Sequence, residues 1–482
     1  MDGKRLAFGA AAMAACNIGK IALQLLLTPI LARLLGPEEF GLYSLAMPSV
    51  LFMMMLADAG LGQSLAREPE DNALAWSSAF WLLMGVGAVL ACALSLWSIP
   101  LASIAQQPRL PAVMALLSLS VMLLVLAVPP AARLTRRGRI EVYAYVDLGA
   151  TVAGAVVALI CAARGAGAWS LVAQLLTQYG VRAVVLNIVA FQLPRLAFSW
   201  RAVSSHTLMG GGVLAGKTID SVGRMLEAGI VNRRFGGSGL GVYSFGYQAA
   251  WSMSQAVYNP VWTALYVHCL NHHDDAGQRR LYERLLRLVA MITLPATLLV
   301  AALAERLCRD LLGPAWGHGA LMLAIIFPSL AFGLLGQLHG AALFGRGRSK
   351  PQTVVSALYT ALRIGAVLAP LGGWTGLAVL VGLSNVGYFV IGLANAKAAL
   401  GWPASRAIAA ICPPAVAAGL AAATVWILQA HAPPGLLAFV VLGAIGAALY
   451  LVLLALFDFR NVKQDLGRLA QMASASAGRF AR

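Results

Sequence analysis

The hydrophobic residues of this chain form long runs instead of short alternating segments. A helix needs roughly 20 apolar residues to cross the hydrocarbon core of a bilayer. We predict fourteen spans, at 8–34, 41–66, 73–98, 111–133, 141–163, 168–192, 207–233, 241–268, 283–305, 317–345, 352–371, 374–398, 406–430 and 435–457. Because the short alternating strands of a membrane barrel are absent from the pattern, it predicts an all-α, polytopic membrane protein with about 14 transmembrane helices. The longest loops are expected near Gln192–His206 and His268–Tyr282.

The lysine and arginine residues between these spans are unevenly distributed. With a cytoplasmic N-terminus, the inside segments hold 23 of the 35 cationic residues, the outside loops hold 7, and 5 fall within spans. Cytoplasmic loops of membrane proteins carry such an excess of lysine and arginine. We therefore expect a multi-pass protein of the bacterial inner (plasma) membrane with both termini cytoplasmic, as an even number of spans requires.

The composition indicates that lipid is the solvent of this protein. Hydrophobic residues make up 60% of the chain and charged residues 11%, whereas soluble chains carry about 25% charged residues. The net charge of +17 does not indicate nucleic-acid binding, because the cations lie between apolar runs and not in one basic domain. The six cysteines form no CxxC pair, so neither a disulfide framework nor a zinc site is suggested. No metal site and no cofactor are predicted.

The two halves of the chain repeat one short motif at an offset of 200 residues. Five residues are identical in the two copies. They are Arg33, Gly36, Gly41, Tyr43 and Ser44 in the first copy and Arg233, Gly236, Gly241, Tyr243 and Ser244 in the second. Six spans separate the copies, so both have the same orientation in the membrane. This pattern predicts two pseudo-equivalent six-helix lobes, 1–200 and 201–400, that enclose a central site and work by alternating access. Residues 401–482 then form two extra helices and a cytoplasmic tail.

Charged side chains inside the spans are the candidate functional residues, because each costs at least about 2.5 kcal/mol at the middle of a bilayer. Span 7 places Lys217, Asp220, Arg224 and Glu227 on one helical face. Their alternating signs would allow Lys217–Asp220 and Arg224–Glu227 pairs. Two interpretations are open, a polar seam between helices and the wall of a hydrated cavity.

Span 1 is the equivalent first helix of the other half, and it carries Lys20 and Gln24 on one face. A cation near the middle of each equivalent helix suits a diphosphate group held between the lobes. Arg363 and Tyr247 are further candidates for substrate binding. The candidates for ion coupling or charge tuning are the acidic residues Asp58, Asp147, Asp220 and Glu227. For Asp147 a purely structural pair with Arg182 is the alternative.

Three segments resemble a known family. They are ARLLGPEEFGLYSLA at Ala32–Ala46, the arginine-rich turn at Arg133–Arg139 with GAGAWSLVAQ at Gly165–Gln174, and GRGRSKP at Gly345–Pro351. Over roughly the first 400 residues, the chain resembles the polysaccharide-transporter (Wzx-like) branch of the multidrug/oligosaccharidyl-lipid/polysaccharide flippases. The resemblance implies a two-lobed bundle with a cationic central cavity. Many such flippases have twelve spans, so the last two helices depart from the family pattern.

The function implied by the resemblance is export without covalent chemistry. The chain is expected to flip an undecaprenyl-diphosphate-linked oligosaccharide, a lipopolysaccharide O-antigen or exopolysaccharide repeat unit, and to have no catalytic residue. Expected partners are this substrate, membrane lipid, and a polysaccharide polymerase or other assembly proteins. A drug or cation antiporter of the same broad fold is the first alternative. A membrane polymerase or ligase of lipid-linked sugars is the second, although no large outside loop is present to hold catalytic acids.

Overall fold

The computed structural model describes residues 3–58, 61–66, 68, 72–190, 194–207, 211–253, 257–369 and 372–480. Within these ranges the chain forms helices and connecting turns, and it contains no β-strand. The all-α prediction is therefore confirmed. The chain divides into two compact units, Met1–Ser244 and Phe245–Arg482. The lobe boundaries predicted at residues 200 and 400 stay a prediction.

The first unit is built from long helices that pack side by side. Its helices are α1 (Gly3–Asp58), α2 (Leu61–Leu65), α3 (Ala73–Ala105), α4 (Leu110–Arg136), α5 (Ile140–Ala163), α6 (Trp169–Val189), α7 (Trp200–Thr207) and most of α8 (Gly211–Met253). Helix α5 packs against α6 and α1, and α4 packs against α3 and α6. The helices α1, α5 and α6, which carry Lys20, Asp147 and Arg182, are therefore neighbours in the order α1–α5–α6.

The second unit also consists of helices, with short π-helical and 3₁₀ turns at Leu307–Leu312 and Pro314–Gly319. Its helices are α9 (Asn259–Asn271), α10 (Asp275–Ala302), α11 (Ala304–Arg306), α12 (Ala320–Gln337), α13 (His339–Gly345), α14 (Ser349–Leu368), α15 (Gly373–Leu400), α16 (Ala404–Leu428) and α17 (Leu436–Phe480). Helix α10 packs against α16 and α12, and α15 packs against α12 and α14.

Ten helices in the described part of the chain are long and apolar enough to cross a membrane. The protein is therefore a multi-pass membrane protein, while the count of fourteen spans stays a prediction. One reason why ten helices are found where fourteen spans were predicted is that α1 contains the first two predicted spans. A kink at Gly36 separates them within this helix. In the same way, α8 joins predicted span 7 to the first part of span 8 through Gly236.

The long loop predicted at His268–Tyr282 is wrong. Helix α9 ends at Asn271 and α10 begins at Asp275, so three residues connect them. The Asp274 carboxylate accepts hydrogen bonds from the backbone N–H groups of Ala276 and Gly277 and caps the new helix. The backbone N–H groups in the first turn of a helix have no acceptor within the helix, and this cap supplies one. The polar first turns of α10 therefore extend the span instead of forming a loop.

The two copies of the repeated motif have the same backbone conformation. Gly36 has φ 76° and ψ 168°, and Gly236 has φ 72° and ψ −178°. A residue with a Cβ rarely adopts this positive-φ conformation. Both long helices kink at these glycines, and the sequence repeat is thus a repeat of local structure.

The two kinked segments cross at van der Waals distance within the first unit. A Cβ atom added to Gly41 would overlap the carbonyl oxygen of Gly237, and one added to Gly241 would overlap the carbonyl oxygen of Pro37. The two contacts are related by the 200-residue offset, so the crossing has a local two-fold symmetry. Glycine is required at both positions because backbone touches backbone there.

The C-terminal hairpin of α16 and α17 is an integral part of the second unit. Arg287 on α10 forms a buried ion pair with Asp458 on α17 at 2.9 Å. At the other end of the hairpin, the buried Arg306 donates to backbone carbonyls in the turn between α16 and α17. The acceptors, at 2.5–2.8 Å, are the carbonyl oxygens of Gln429, Ala432 and Pro433.

We predict that Gly241→Ala destabilises the protein by about 3 kcal/mol, the upper end of the cost of overpacking. A methyl group at this position would force α1 and α8 apart. The measurement is the midpoint of thermal unfolding of the purified protein in detergent micelles. The control is Gly85→Ala on α3, where an added Cβ meets nothing within 4 Å, and it should leave the midpoint unchanged or raise it. Equal midpoints for wild type and Gly241→Ala would show that the close crossing is dispensable.

Candidate functional site

Asp147 on α5 lies at the centre of a charged cluster in the first unit. Its carboxylate accepts a hydrogen bond from Lys20 Nζ on α1 and forms an ion pair with Arg182 Nη1 on α6 at 3.0 Å. One buried acid therefore connects three helices. We call Lys20, Asp147 and Arg182 the charged triad.

Close packing of α5 against α6 positions two members of the triad. A Cβ added to Gly154 would lie 2.7 Å from the carbonyl oxygen of Gln174, so the two backbones nearly touch. Polar contacts continue from there toward the triad: Gln178 Nε2 donates to Thr151 Oγ1 at 3.2 Å, and Thr151 Oγ1 donates to the carbonyl of Asp147 at 2.7 Å. This close approach of α5 and α6 brings the Asp147 and Arg182 side chains into direct contact.

The charges of the triad leave a net single positive charge. The side chain of Asp147 is 9% exposed, that of Arg182 is 12% exposed, and that of Lys20 is 26% exposed. Arg182 also lies over the ring of Tyr179, with 4.3 Å between the guanidinium carbon and the ring centroid. Lys20 is consequently the cation of the triad that a ligand can reach most easily.

The structure shows two partners for Asp147. The pair with Arg182 is confirmed, and the contact of Asp147 with Lys20 is an addition that sequence reasoning missed. No periodicity could have revealed it, because the two residues are 127 positions apart. Gln24 follows Lys20 by one helical turn and is exposed, and its carbonyl accepts a hydrogen bond from Thr28.

The charged face predicted on α8 is divided in the structure. Arg224 forms an i,i+4 ion pair with Asp220 at 2.8 Å, and both side chains are 40% exposed. Glu227 is 3% exposed and accepts a hydrogen bond from the Tyr243 hydroxyl. The segment after the kink at Gly236 brings the Tyr243 hydroxyl to the buried Glu227 carboxylate, and the Arg224–Glu227 pair stays a prediction. Lys217 lies on α8, but its side chain is outside the described residues.

Arg363 on α14 is the centre of an aromatic cluster in the second unit. The guanidinium carbon lies 4.7 Å from the ring centroid of Tyr247 and 5.5 Å from that of Tyr359. Tyr359 stacks on Tyr388 at 4.1 Å and donates a hydrogen bond to Asn385 Oδ1 at 2.5 Å. The structure thus brings together Arg363 and Tyr247, which were predicted separately.

The remaining candidate, Asp58, is the last residue of α1 and is exposed. It lies outside the charged triad. Among the described residues, no group of three His, Cys, Asp or Glu side chains is arranged to hold a metal ion. The triad, the Arg224–Asp220 pair and the Arg363–Tyr247 contact each bring predicted site residues together.

We predict that Asp147→Ala destabilises the protein by about 3 kcal/mol, because two cations would lose their shared partner in a largely buried setting. The double variant Asp147→Asn/Arg182→Gln should lose less stability than the sum of its two single variants. A double-mutant cycle of thermal unfolding measures this difference. Glu305→Gln is the control, because it removes an exposed pair with Arg309 at 3.7 Å that contributes less than about 1 kcal/mol. Strict additivity in the Asp147–Arg182 cycle would contradict an energetic coupling.

Comparison with known proteins places the chain in a family and a fold. The chain is 27% identical over 478 residues to the succinoglycan biosynthesis transport protein ExoT of Rhizobium meliloti (strain 1021), covering 95% of each protein. It is 22% identical to the lipopolysaccharide biosynthesis protein WzxC of Escherichia coli (strain K12), covering 78% of this chain and 76% of WzxC. Both similarities agree with the resemblance found in the sequence.

Solved structures show the fold. The lipid II flippase MurJ in an inward closed conformation superposes with a TM-score of 0.72 at 11% identity, covering 92% of this chain and 98% of MurJ. An inward-facing multidrug resistance MATE transporter of the MOP superfamily superposes with a TM-score of 0.62 at 15% identity, covering 80% of this chain and 98% of the transporter. A family model described as polysaccharide biosynthesis protein matches residues 30–320. Because that match covers more than half of the chain, this protein belongs to the polysaccharide biosynthesis protein family.

Proposed function

We propose that this protein is a flippase that moves an oligosaccharide linked to undecaprenyl diphosphate across the bacterial inner membrane. The substrate is a repeat unit of a lipopolysaccharide O-antigen or an exopolysaccharide, carried from the cytoplasmic to the periplasmic leaflet. The observation that supports this most is the charged triad, a net-positive cluster held among apolar helices. A cation among apolar membrane helices is costly, and an anionic ligand accounts for its presence.

The triad has the chemistry to receive a diphosphate. The planar guanidinium of Arg182 presents several N–H donors in a geometry that matches phosphate oxygens, while Lys20 acts as a mobile point charge. Without substrate, Asp147 keeps both cations oriented and lowers the cost of burying them. When the diphosphate arrives, its oxygens replace Asp147 as the partner of Lys20. Asp147 thereby tunes the affinity instead of binding the substrate directly.

The Arg363 cluster is the proposed second contact with the substrate. Tyrosine faces suit the apolar faces of sugar rings, and Arg363 adds a cation to them. In this proposal Gln24, Lys217, Arg224 and Tyr247 are further substrate-binding residues. The acids assigned to charge tuning or to coupling with a proton or sodium ion are Asp58, Asp147, Asp220 and Glu227.

The transport cycle proposed is alternating access, with both termini in the cytoplasm and two six-helix lobes followed by the C-terminal hairpin. The excess of cationic residues in the inside loops supports this orientation. Flipping relocates a lipid without making or breaking covalent bonds, so no catalytic residue is assigned. Enzymes that join the flipped units, such as a polysaccharide polymerase, are the proposed functional partners.

A drug or cation antiporter is the second candidate, because the fold also matches a multidrug MATE transporter. A cationic substrate needs an acidic site with spare negative charge. Asp147 instead shares its charge with two cations, and Asp220 is paired with Arg224. These pairs favour an anionic substrate over a cationic one.

The test uses purified protein in liposomes that contain a fluorescent undecaprenyl-diphosphate-linked oligosaccharide. The flipped fraction is measured by access of a sugar-specific oxidant or lectin from one side. Arg182→Gln should slow flipping by roughly tenfold or more, since a hydrogen bond to a charged group contributes about 1.5–3 kcal/mol. Lys20→Gln should slow it as well, and Arg182→Lys should retain part of the activity.

The matched control is Arg164→Gln at the end of α5, an exposed arginine in the same unit that makes no contact with the triad. It should flip substrate at the wild-type rate. In a strain that lacks the gene, wild-type protein should restore surface polysaccharide, while Arg182→Gln should leave lipid-linked units on the inner leaflet. If the deletion changes drug tolerance and leaves polysaccharide export intact, the antiporter is the better description.

A further inference from the structure

A linker segment, residues 194–207, connects α6 to α8 and is attached to α3 through its backbone. Trp81 Nε1 donates to the carbonyl oxygen of Arg195 at 2.9 Å. The backbone N–H groups of Arg195 and Ser199 donate to the hydroxyls of Ser77 and Ser78, each at 2.9 Å. At Arg195 and Ser199, backbone atoms of the linker therefore make the contacts to α3.

One side of the linker is docked and the other is uncovered. Val203 on α7 is fully buried in a cluster with Leu65, Trp76, Ala79 and Ala132. Three large apolar side chains that precede Val203 in the linker are exposed. Leu196 is 92% exposed, Phe198 54% and Trp200 57%. Exposed apolar side chains next to aromatic ones are typical of a membrane–water interface.

An apolar groove of about 410 Å³ lies on α3 beside the linker. Aliphatic side chains of α3 line it together with Trp81, Gly85 and Phe198. Its lining runs from Trp81 to Leu90, roughly 14 Å along the helix. That length approaches the depth of one leaflet of a hydrocarbon core of about 30 Å, so the groove suits one acyl chain.

Two cations lie on the linker, on either side in sequence of the groove residue Phe198. Arg195 and Arg201 are exposed, and neither has an ion-pair partner among the described residues. Arg195 is directly connected to the groove, because its carbonyl oxygen accepts the hydrogen bond from Trp81. An apolar slot beside a linker that carries two exposed guanidinium groups is complementary to a lipid with an anionic headgroup.

We propose that the linker and the α3 groove form a binding site for one anionic phospholipid of the inner leaflet. The acyl chain lies in the groove, the phosphate is bound by Arg195 and Arg201, and Phe198 and Trp200 insert at the interface. The bound lipid would cover the exposed side of the segment that joins the two sequence halves. This site is separate from the charged triad and does not depend on the transported substrate.

The experiment measures phospholipid binding to the purified protein by native mass spectrometry, with phosphatidylglycerol and phosphatidylethanolamine as probes. Wild type should retain phosphatidylglycerol preferentially. The double variant Arg195→Gln/Arg201→Gln should weaken phosphatidylglycerol binding by about fivefold for each arginine, which corresponds to about 1 kcal/mol of attraction to an anionic lipid surface. Binding of phosphatidylethanolamine should change little.

A second variant tests the groove independently. Gly85→Leu should weaken binding of both lipids without disturbing the helix packing, because an added Cβ there meets nothing within 4 Å. Gly149→Leu on α5 is the control, since that glycine is equally exposed and open. The proposal is overturned if neither variant differs from wild type, or if undecaprenyl phosphate displaces phosphatidylglycerol at equal concentration and so proves to be the preferred occupant. All readouts are binding measurements, so a failure of the flippase function would not affect them.

Discussion

Charges placed among apolar helices need partners, and the packing of this protein follows from that requirement. In the first unit, Asp147 joins Lys20 and Arg182 and thereby ties α5 to α1 and α6. In the second unit, Arg287 meets Asp458 and Arg306 binds the carbonyls of the α16–α17 turn. Each pair lowers the cost of burial in a low dielectric. The same contacts that satisfy the charges therefore select which helices become neighbours.

The repeated glycine motif adds a geometric constraint to this electrostatic one. Gly36 and Gly236 kink their helices at matching positive-φ conformations. Five residues further on, Gly41 and Gly241 allow backbone to touch backbone. The kink also brings Tyr243 back to Glu227, so this acid of the charged face predicted on span 7 has a hydrogen-bond donor inside the protein.

The unequal exposure within the triad has a functional consequence. Arg182 is nearly buried and oriented by Asp147 and Tyr179, while Lys20 is the more accessible cation. A preoriented guanidinium beside an adjustable ammonium can accept an anion without first breaking every existing contact. In the proposed function, the anion that this arrangement receives is a lipid-linked diphosphate. Conversely, no described acid forms an ion pair with Arg195 or Arg201, and in our proposal a phospholipid headgroup supplies the negative charge.

The sequence by itself determined the class of the protein. Apolar runs of bilayer length predicted membrane helices, and the 200-residue repeat predicted matching turns, because both signals depend on local periodicity and on the conformational freedom of glycine. The Asp147–Arg182 pair was also within reach, since both residues lie in predicted neighbouring spans. Tertiary structure alone decided that Lys20 completes the triad, that Tyr243 satisfies Glu227, and that Asn385 and Tyr388 support Tyr359. These contacts join residues far apart in the chain, and only the packing of helices, which single-chain periodicity does not encode, brings them within hydrogen-bonding distance.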